Sequence, residues 1–189
     1  WPCLRSSAAR SADAWLGAAA PAGDWACVSH GAAQVIRLPA VDGCTRYLWA
    51  GADAPELPPL PADAWRWLEV HSGIPRVVAA TVDKFVPQML NLELLGGVNF
   101  KKGCYPGQEV VARSQYRGTV KRRTYLVASD AAMPPGMDVF HSADPGQPAG
   151  MVVLSASLSG AHAALVELKI AALQGGELHA ANGARLSPA

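Results

Sequence analysis

The sequence predicts an α+β chain that ends in a small antiparallel β-barrel. Three observations carry that prediction. A helical stretch and a run of short strands fill the first 50 residues, a proline-rich break follows, and the last third alternates apolar runs with turn residues. The chain has 189 residues, 50% of them hydrophobic and 16% charged, with a formal net charge of +1. Disordered chains are poor in apolar residues and rich in net charge, so disorder is excluded. A globally basic nucleic-acid binder is excluded too, since 16 Lys and Arg face 15 Asp and Glu. No apolar run approaches the roughly 18 residues of a membrane-spanning helix, so no membrane partner is expected.

Residues 4–20 are Ala-rich, with Leu4, Ala8, Trp15 and Ala19 near helical spacing, and predict a helix that ends before Pro21-Ala22-Gly23. Strands are predicted at Trp25–Ser29, Gln34–Leu38 and Thr45–Trp49, punctuated by Gly31, Pro39 and Asp42-Gly43. The stretch 51–63 holds four prolines and predicts a linker or an extended crossing segment. Asp63 is placed as the N-cap of a helix over Ala64–His71, stopped by Gly73 and Pro75. Residues 76–100 are mixed, with an apolar turn at Met89–Leu95 ended by Gly96-Gly97.

From Arg122 onward five strands are predicted: Thr124–Ala128, Met137–His141, Ala149–Ser157, Ala163–Ile170 and Glu177–Ala180. Pro134-Pro135-Gly136, Asp144-Pro145-Gly146, Ser159-Gly160 and Gly175-Gly176 separate them. The expected regions are therefore 1–60, a remnant of an α+β, ferredoxin-like domain; 61–121; and a β-barrel over 122–189.

Two asymmetries hide in the averages. Between Lys101 and Arg123 lie seven basic residues (Lys101, Lys102, Arg113, Arg117, Lys121, Arg122 and Arg123) against Glu109 alone, a net of +6 that leaves −5 for the remainder. All six Trp (1, 15, 25, 49, 65 and 67) fall in the first 67 residues; core and interdomain packing is their expected use. The chain starts at Trp1 with no Met, so its natural N-terminal part is expected to be missing. Cys3, Cys27, Cys44 and Cys104 have neither C-x-x-C spacing nor a His nearby at finger-like spacing. Reduced thiols in a cytoplasmic compartment are the expectation, with no resident metal.

The stretch Asn99 to Arg113, NFKKGCYPGQEVVAR, concentrates the chemistry. Gly103 and Gly107 let the backbone reach positive φ and approach a ligand closely. Tyr105 offers a ring face. Pro106-Gly107 breaks the chain, and Gln108–Arg113 starts a helix whose free N–H groups attract anions. Cys104 sits before that start beside Lys101 and Lys102, which favours a thiolate. Glu109 and Arg113 stand i,i+4 and can pair on one helix face. These residues suit a binding loop for a flat, polar, partly anionic molecule, or equally a solvated basic turn with a packing Cys.

Lys102–Arg113, KGCYPGQEVVAR, resembles the K-G-C-[FY]-x-G-Q-E-x-x-A-R signature of YgfZ-type folate-binding proteins, relatives of the glycine-cleavage T-protein (aminomethyltransferase). Phe85-Val86-Pro87-Gln88, Asn91-Leu92 and Gly96-Gly97-Val98-Asn99-Phe100-Lys101 resemble the family's approach to that signature. His71-Ser72-Gly73-Ile74-Pro75 resembles its E-x-G-x-P turn, and Tyr116-Arg117-Gly118 with Lys121-Arg122 the R-G…K-R that follows. The ordered likeness spans about 73–123.

The resemblance implies a T-protein-like fold, with two interleaved α+β domains, a C-terminal β-barrel and folate in a central channel; this chain would be its C-terminal portion, lacking the N-terminal domain. It implies a tetrahydrofolate-binding accessory protein for assembly or repair of iron–sulfur proteins, acting on tRNA-thiolating enzymes only through those proteins, with no direct tRNA contact. A folate-dependent aminomethyltransferase-like activity is the alternative, and whether any turnover occurs is left open. Cys104 would be the functional thiol. Lys102, Gly103, Tyr105, Gly107, Gln108, Glu109, Arg113 and His71 would line the folate site, with Lys102 and Arg113 set against the anionic tail. His71 stands where relatives carry a pterin-binding Glu, and Glu69 lies two residues earlier; a neutral His accepts one hydrogen bond where a carboxylate accepts several. The T-protein lacks a Cys at the Cys104 position and keeps its catalytic Asp in the domain absent here.

Overall fold

The computed structural model describes residues 8–53, 55–116 and 118–189, with side chains from residue 12. Cys3 and Arg117 lie outside the described residues, as does the part of the predicted N-terminal helix before Ala8. The chain divides into two compact units, Trp1–Leu68 and Glu69–Ala189. The second unit takes in both the signature segment and the barrel, which the sequence separated at 121/122.

In the first unit α1 (Ala8–Leu16) runs into a 3₁₀ turn at Gly17–Ala19. A three-stranded antiparallel meander follows: β1 (Cys27–His30), β2 (Ala33–Val41) and β3 (Cys44–Ala50). The first strand starts two residues later than predicted because Trp25 has φ +64°, which an extended strand cannot contain. The hairpin between β2 and β3 closes on Asp42-Gly43, both at positive φ, with Val41 opposite Cys44; this two-residue turn matches the strand twist. Val35, Val41, Cys44 and Leu68 are buried, and Leu60 packs on the last three.

The described residues of 51–61 contain no helix or strand, as their prolines predict. α2 (Ala62–His71) begins one residue before Asp63. Asp63 is therefore not the N-cap: it lies in the first turn, where its carboxylate accepts the Ala64 N–H at 2.9 Å and complements the helix dipole.

The second unit ends in a closed six-stranded antiparallel barrel. Its strands are β4 (Arg122–Ser129), β5 (Asp138–His141), β6 (Asp144–Leu158), β7 (Ala161–Lys169), β8 (Leu178–Ala180) and β9 (Arg185–Pro188), ordered β4-β7-β6-β5-β8-β9. Five strands match the prediction in place. The sixth, β9, was not predicted, and it closes the barrel by pairing with β4 and β8. Asp144-Pro145-Gly146 is not a separator: it belongs to β6, with His141 opposite Asp144 and register shifts that absorb the irregular residues. Val139, Val152, Ala164, Val166 and Leu168 fill the interior. No helix among the described residues is long and apolar enough to cross a membrane.

Candidate functional site

The signature segment leads into α3 (Gln108–Tyr116). Tyr105-Pro106-Gly107-Gln108 forms a tight turn in which the Gln108 N–H donates to the Tyr105 carbonyl at 3.1 Å. Gly107 has φ +80°, which with Pro at the preceding position defines a type II turn. The Gln108 side chain reaches back, its Oε1 accepting the Tyr105 N–H at 3.3 Å. Gly103, by contrast, is not at positive φ, and a Cβ there would meet nothing within 4 Å. Of the two glycines only Gly107 is required by the backbone.

Above that turn, the Lys102 ammonium lies over the Tyr105 ring, 4.7 Å from its centroid. Tyr105 is half-buried, while Lys101, Lys102, Gly103 and Cys104 are exposed. Cys104 is a free thiol, as is Cys27 in the other unit. Lys101 N–H donates to Asn99 Oδ1 at 2.8 Å, and Phe100 meets Tyr116 edge to face at 6.1 Å, tying the start of the loop to the end of α3. Glu109 lies in the first turn of α3 and Arg113 in the last, both exposed. No ion pair joins them among the described residues, so the predicted i,i+4 bridge is not formed.

Beneath α3 lies a polar hub that the sequence reading missed. Gln88, 1% exposed in the 3₁₀ turn Pro87–Leu90, donates through Nε2 to the Val111 carbonyl of α3 at 2.7 Å. Arg123 Nη1 donates to the Gln88 carbonyl at 3.1 Å, to Asn91 Oδ1 at 3.3 Å, and to the Glu93 carboxylate. Asn91, at φ +59°, donates through Nδ2 to the Thr124 carbonyl, and the Thr124 hydroxyl donates to the Met89 carbonyl, both at 2.8 Å. The hub thus fastens α3 to β4. Gln88 Oε1 and Glu93 Oε2 are buried acceptors with no donor among the described residues.

One strand further on, Arg122 holds Glu167, which is 2% exposed, with Nε and Nη2, the latter at 2.8 Å. The hydrogen bond to that carboxylate raises the Arg122 guanidinium above its ordinary range, against the pull of burial. Arg122 and Arg123 are therefore internal structural cations. Among the described residues of the basic window, Lys101, Lys102, Arg113 and Lys121 are exposed. The signal that could have found the hub is the pairing of Pro87-Gln88 and Asn91 with a lone acid, Glu93, just ahead of a basic cluster.

His71 is the last residue of α2, half-buried and followed by Gly73 at φ +69°. Lys102, Tyr105, Gly107 and Gln108 are brought together in one turn; Glu109 and Arg113 share the helix that follows. No cluster of three or more His, Cys, Asp or Glu side chains that could hold a metal ion occurs among the described residues. No known protein-family model matches the chain.

Proposed function

We propose that the chain is the folate-binding and barrel portion of a cytoplasmic accessory protein for iron–sulfur assembly or repair, reaching tRNA-modifying enzymes only through their clusters. The observation that supports this reading is the Lys102–Tyr105 pair beside the exposed Cys104, carried on a turn that leads into α3. The groups fit tetrahydrofolate. A ring face suits a flat heterocycle, and Lys101, Lys102 and Arg113 supply cations for a glutamate tail through charge-assisted hydrogen bonds. Lys102 covers one face of Tyr105, so a stacked ring takes the other face or displaces the ammonium.

The test begins with calorimetric titration of tetrahydrofolate into the chain. Saturable binding is expected, weakened about tenfold or more in Lys102→Ala, as loss of a charge-assisted bond requires. Absence of saturable binding would sink the reading. Cys104→Ala is expected to keep folate binding and lower the activity of a cellular iron–sulfur enzyme. If that activity is unchanged, the thiol has no part. Aminomethyl transfer to tetrahydrofolate by the same protein would instead establish the transferase alternative.

A further inference from the structure

Three of the chain's six tryptophans converge on one space in the first unit. It is a cleft of about 220 Å³ that opens between α1, β3, the proline-rich segment and the start of α2. The indoles of Trp15, Trp49 and Trp65 line it, with Val35, Leu57 and Leu68 as aliphatic neighbours. Trp15 and Trp49 meet edge to face at 5.5 Å, and both contact the His30 ring.

The charged groups at this wall are taken up within the chain. The Arg46 guanidinium, only 5% exposed, donates through Nε and Nη2 to the Pro39 carbonyl at 3.3 and 3.0 Å and lies over the Trp65 ring at 5.8 Å. The Asp13 carboxylate accepts the Tyr47 hydroxyl at 2.5 Å. Burial, with help from that carboxylate, pushes the Tyr47 phenol up to about 12, so Tyr47 stays neutral at ordinary pH. Trp49 Nε1 donates to the Asp53 carbonyl at 2.7 Å. One cation and one carboxylate thus border the wall, both engaged, and neither sign of charge is in excess. An ionised group carried into such a site would give up its water without gaining a partner.

We propose that this cleft binds an uncharged, planar aromatic molecule of one or two fused rings, packed among the three indoles. Size, wall chemistry and charge each narrow the class. An apolar cavity of about 150 Å³ takes up benzene, so one or two fused rings suit the space here. Aromatic walls add stacked or edge-to-face contacts to the area a guest buries, and a saturated ring of equal size makes neither. The engaged charges disfavour anions and cations alike. The proposal is independent of the folate reading, whose residues belong to the other unit.

The experiment titrates four probes into the full chain: indole, indole-3-acetate, tryptamine and cyclohexylmethanol. Calorimetry gives the affinities, and the indole N–H signals of the ¹⁵N-labelled protein locate the site. Indole should bind saturably and shift the Trp15, Trp49 and Trp65 signals. Both charged analogues should bind about tenfold more weakly, and cyclohexylmethanol about threefold or more. Trp15 is 37% exposed at the rim, so Trp15→Ala should keep the fold and weaken indole about tenfold through the lost stacking. No saturable binding of indole, or unchanged affinity in folded Trp15→Ala, would overturn the site. A charged analogue that binds as tightly as indole would overturn the neutral guest, and cyclohexylmethanol of equal affinity would overturn the aromatic one. If Trp15→Ala does not fold, Leu57→Trp fills the cleft from its irregular wall: abolished indole binding supports the site, and unchanged binding refutes it.

Discussion

The signature turn and the hub beneath it both draw on Arg, Gln and Glu, and put them to opposite uses. In the hub, Gln88, Asn91, Glu93 and Arg123 hydrogen-bond to one another and to the backbone of α3 and β4. In the turn, Lys101, Lys102, Cys104 and Arg113 are exposed, and Lys102 lies over the Tyr105 ring. A charge cluster read from sequence is thus two populations: cations that hold the frame and cations that can meet a ligand. The difference lies in burial, since a buried ion must be paired whereas an exposed one is solvated at little cost.

Removing a hub cation should therefore cost far more stability than removing a loop cation. Arg123→Ala leaves the Glu93 carboxylate, 8% exposed, without its guanidinium. The expected loss is about 3 kcal/mol, typical of a buried pair broken on one side. Lys101→Ala, at an exposed position, should stay within about 0.5 kcal/mol. Urea denaturation midpoints of the two variants check this directly. Equal midpoints would erase the distinction between the two populations.

Whether sequence reveals a contact depends on how far apart its partners lie. The chain break at Pro106-Gly107, the breaks between strands at Asp42-Gly43 and Ser159-Gly160 and the start of α3 were legible because their causes lie within four residues. Five barrel strands were legible from apolar runs between turn residues. β9 was not: Arg185-Leu186-Ser187-Pro188 is short, polar and ends in proline, and what makes it a strand is pairing with Val127–Ser129, far back in the chain. The hub failed for the same reason, since Arg123 meets Glu93 across 30 residues and Arg122 meets Glu167 across 45. The i,i+4 spacing of Glu109 and Arg113 was a local signal that misled. Both are exposed, and a solvated pair gains too little to hold two long side chains together.

The turn itself can be divided by its glycines. Gly107→Ala forces a side chain into φ +80° and should cost about 1–2 kcal/mol. It should also loosen the Tyr105–Gln108 turn, seen as broadened Tyr105 and Gln108 amide signals in NMR spectra. Gly103→Ala meets open space at ordinary φ and should change stability by less than about 0.5 kcal/mol. If both substitutions are equally mild, the turn is not the rigid platform that the hydrogen bonds describe.

The smallest effect separates stability from binding most cleanly. Lys102 over Tyr105 is an exposed cation–π contact, worth about 0.5–1 kcal/mol at most. A double-mutant cycle of Lys102→Met and Tyr105→Leu should return a coupling in that range in the unliganded chain, because Met keeps the apolar stem and removes only the charge. With a stacking anion bound, the ammonium exchanges the ring face for the ligand's charge, so the same cycle measured on affinity should give a larger coupling than it gives on stability. A coupling that is equal in both cycles would mean that Lys102 merely shields Tyr105, and that the outward charge of the turn does not take part in recognition.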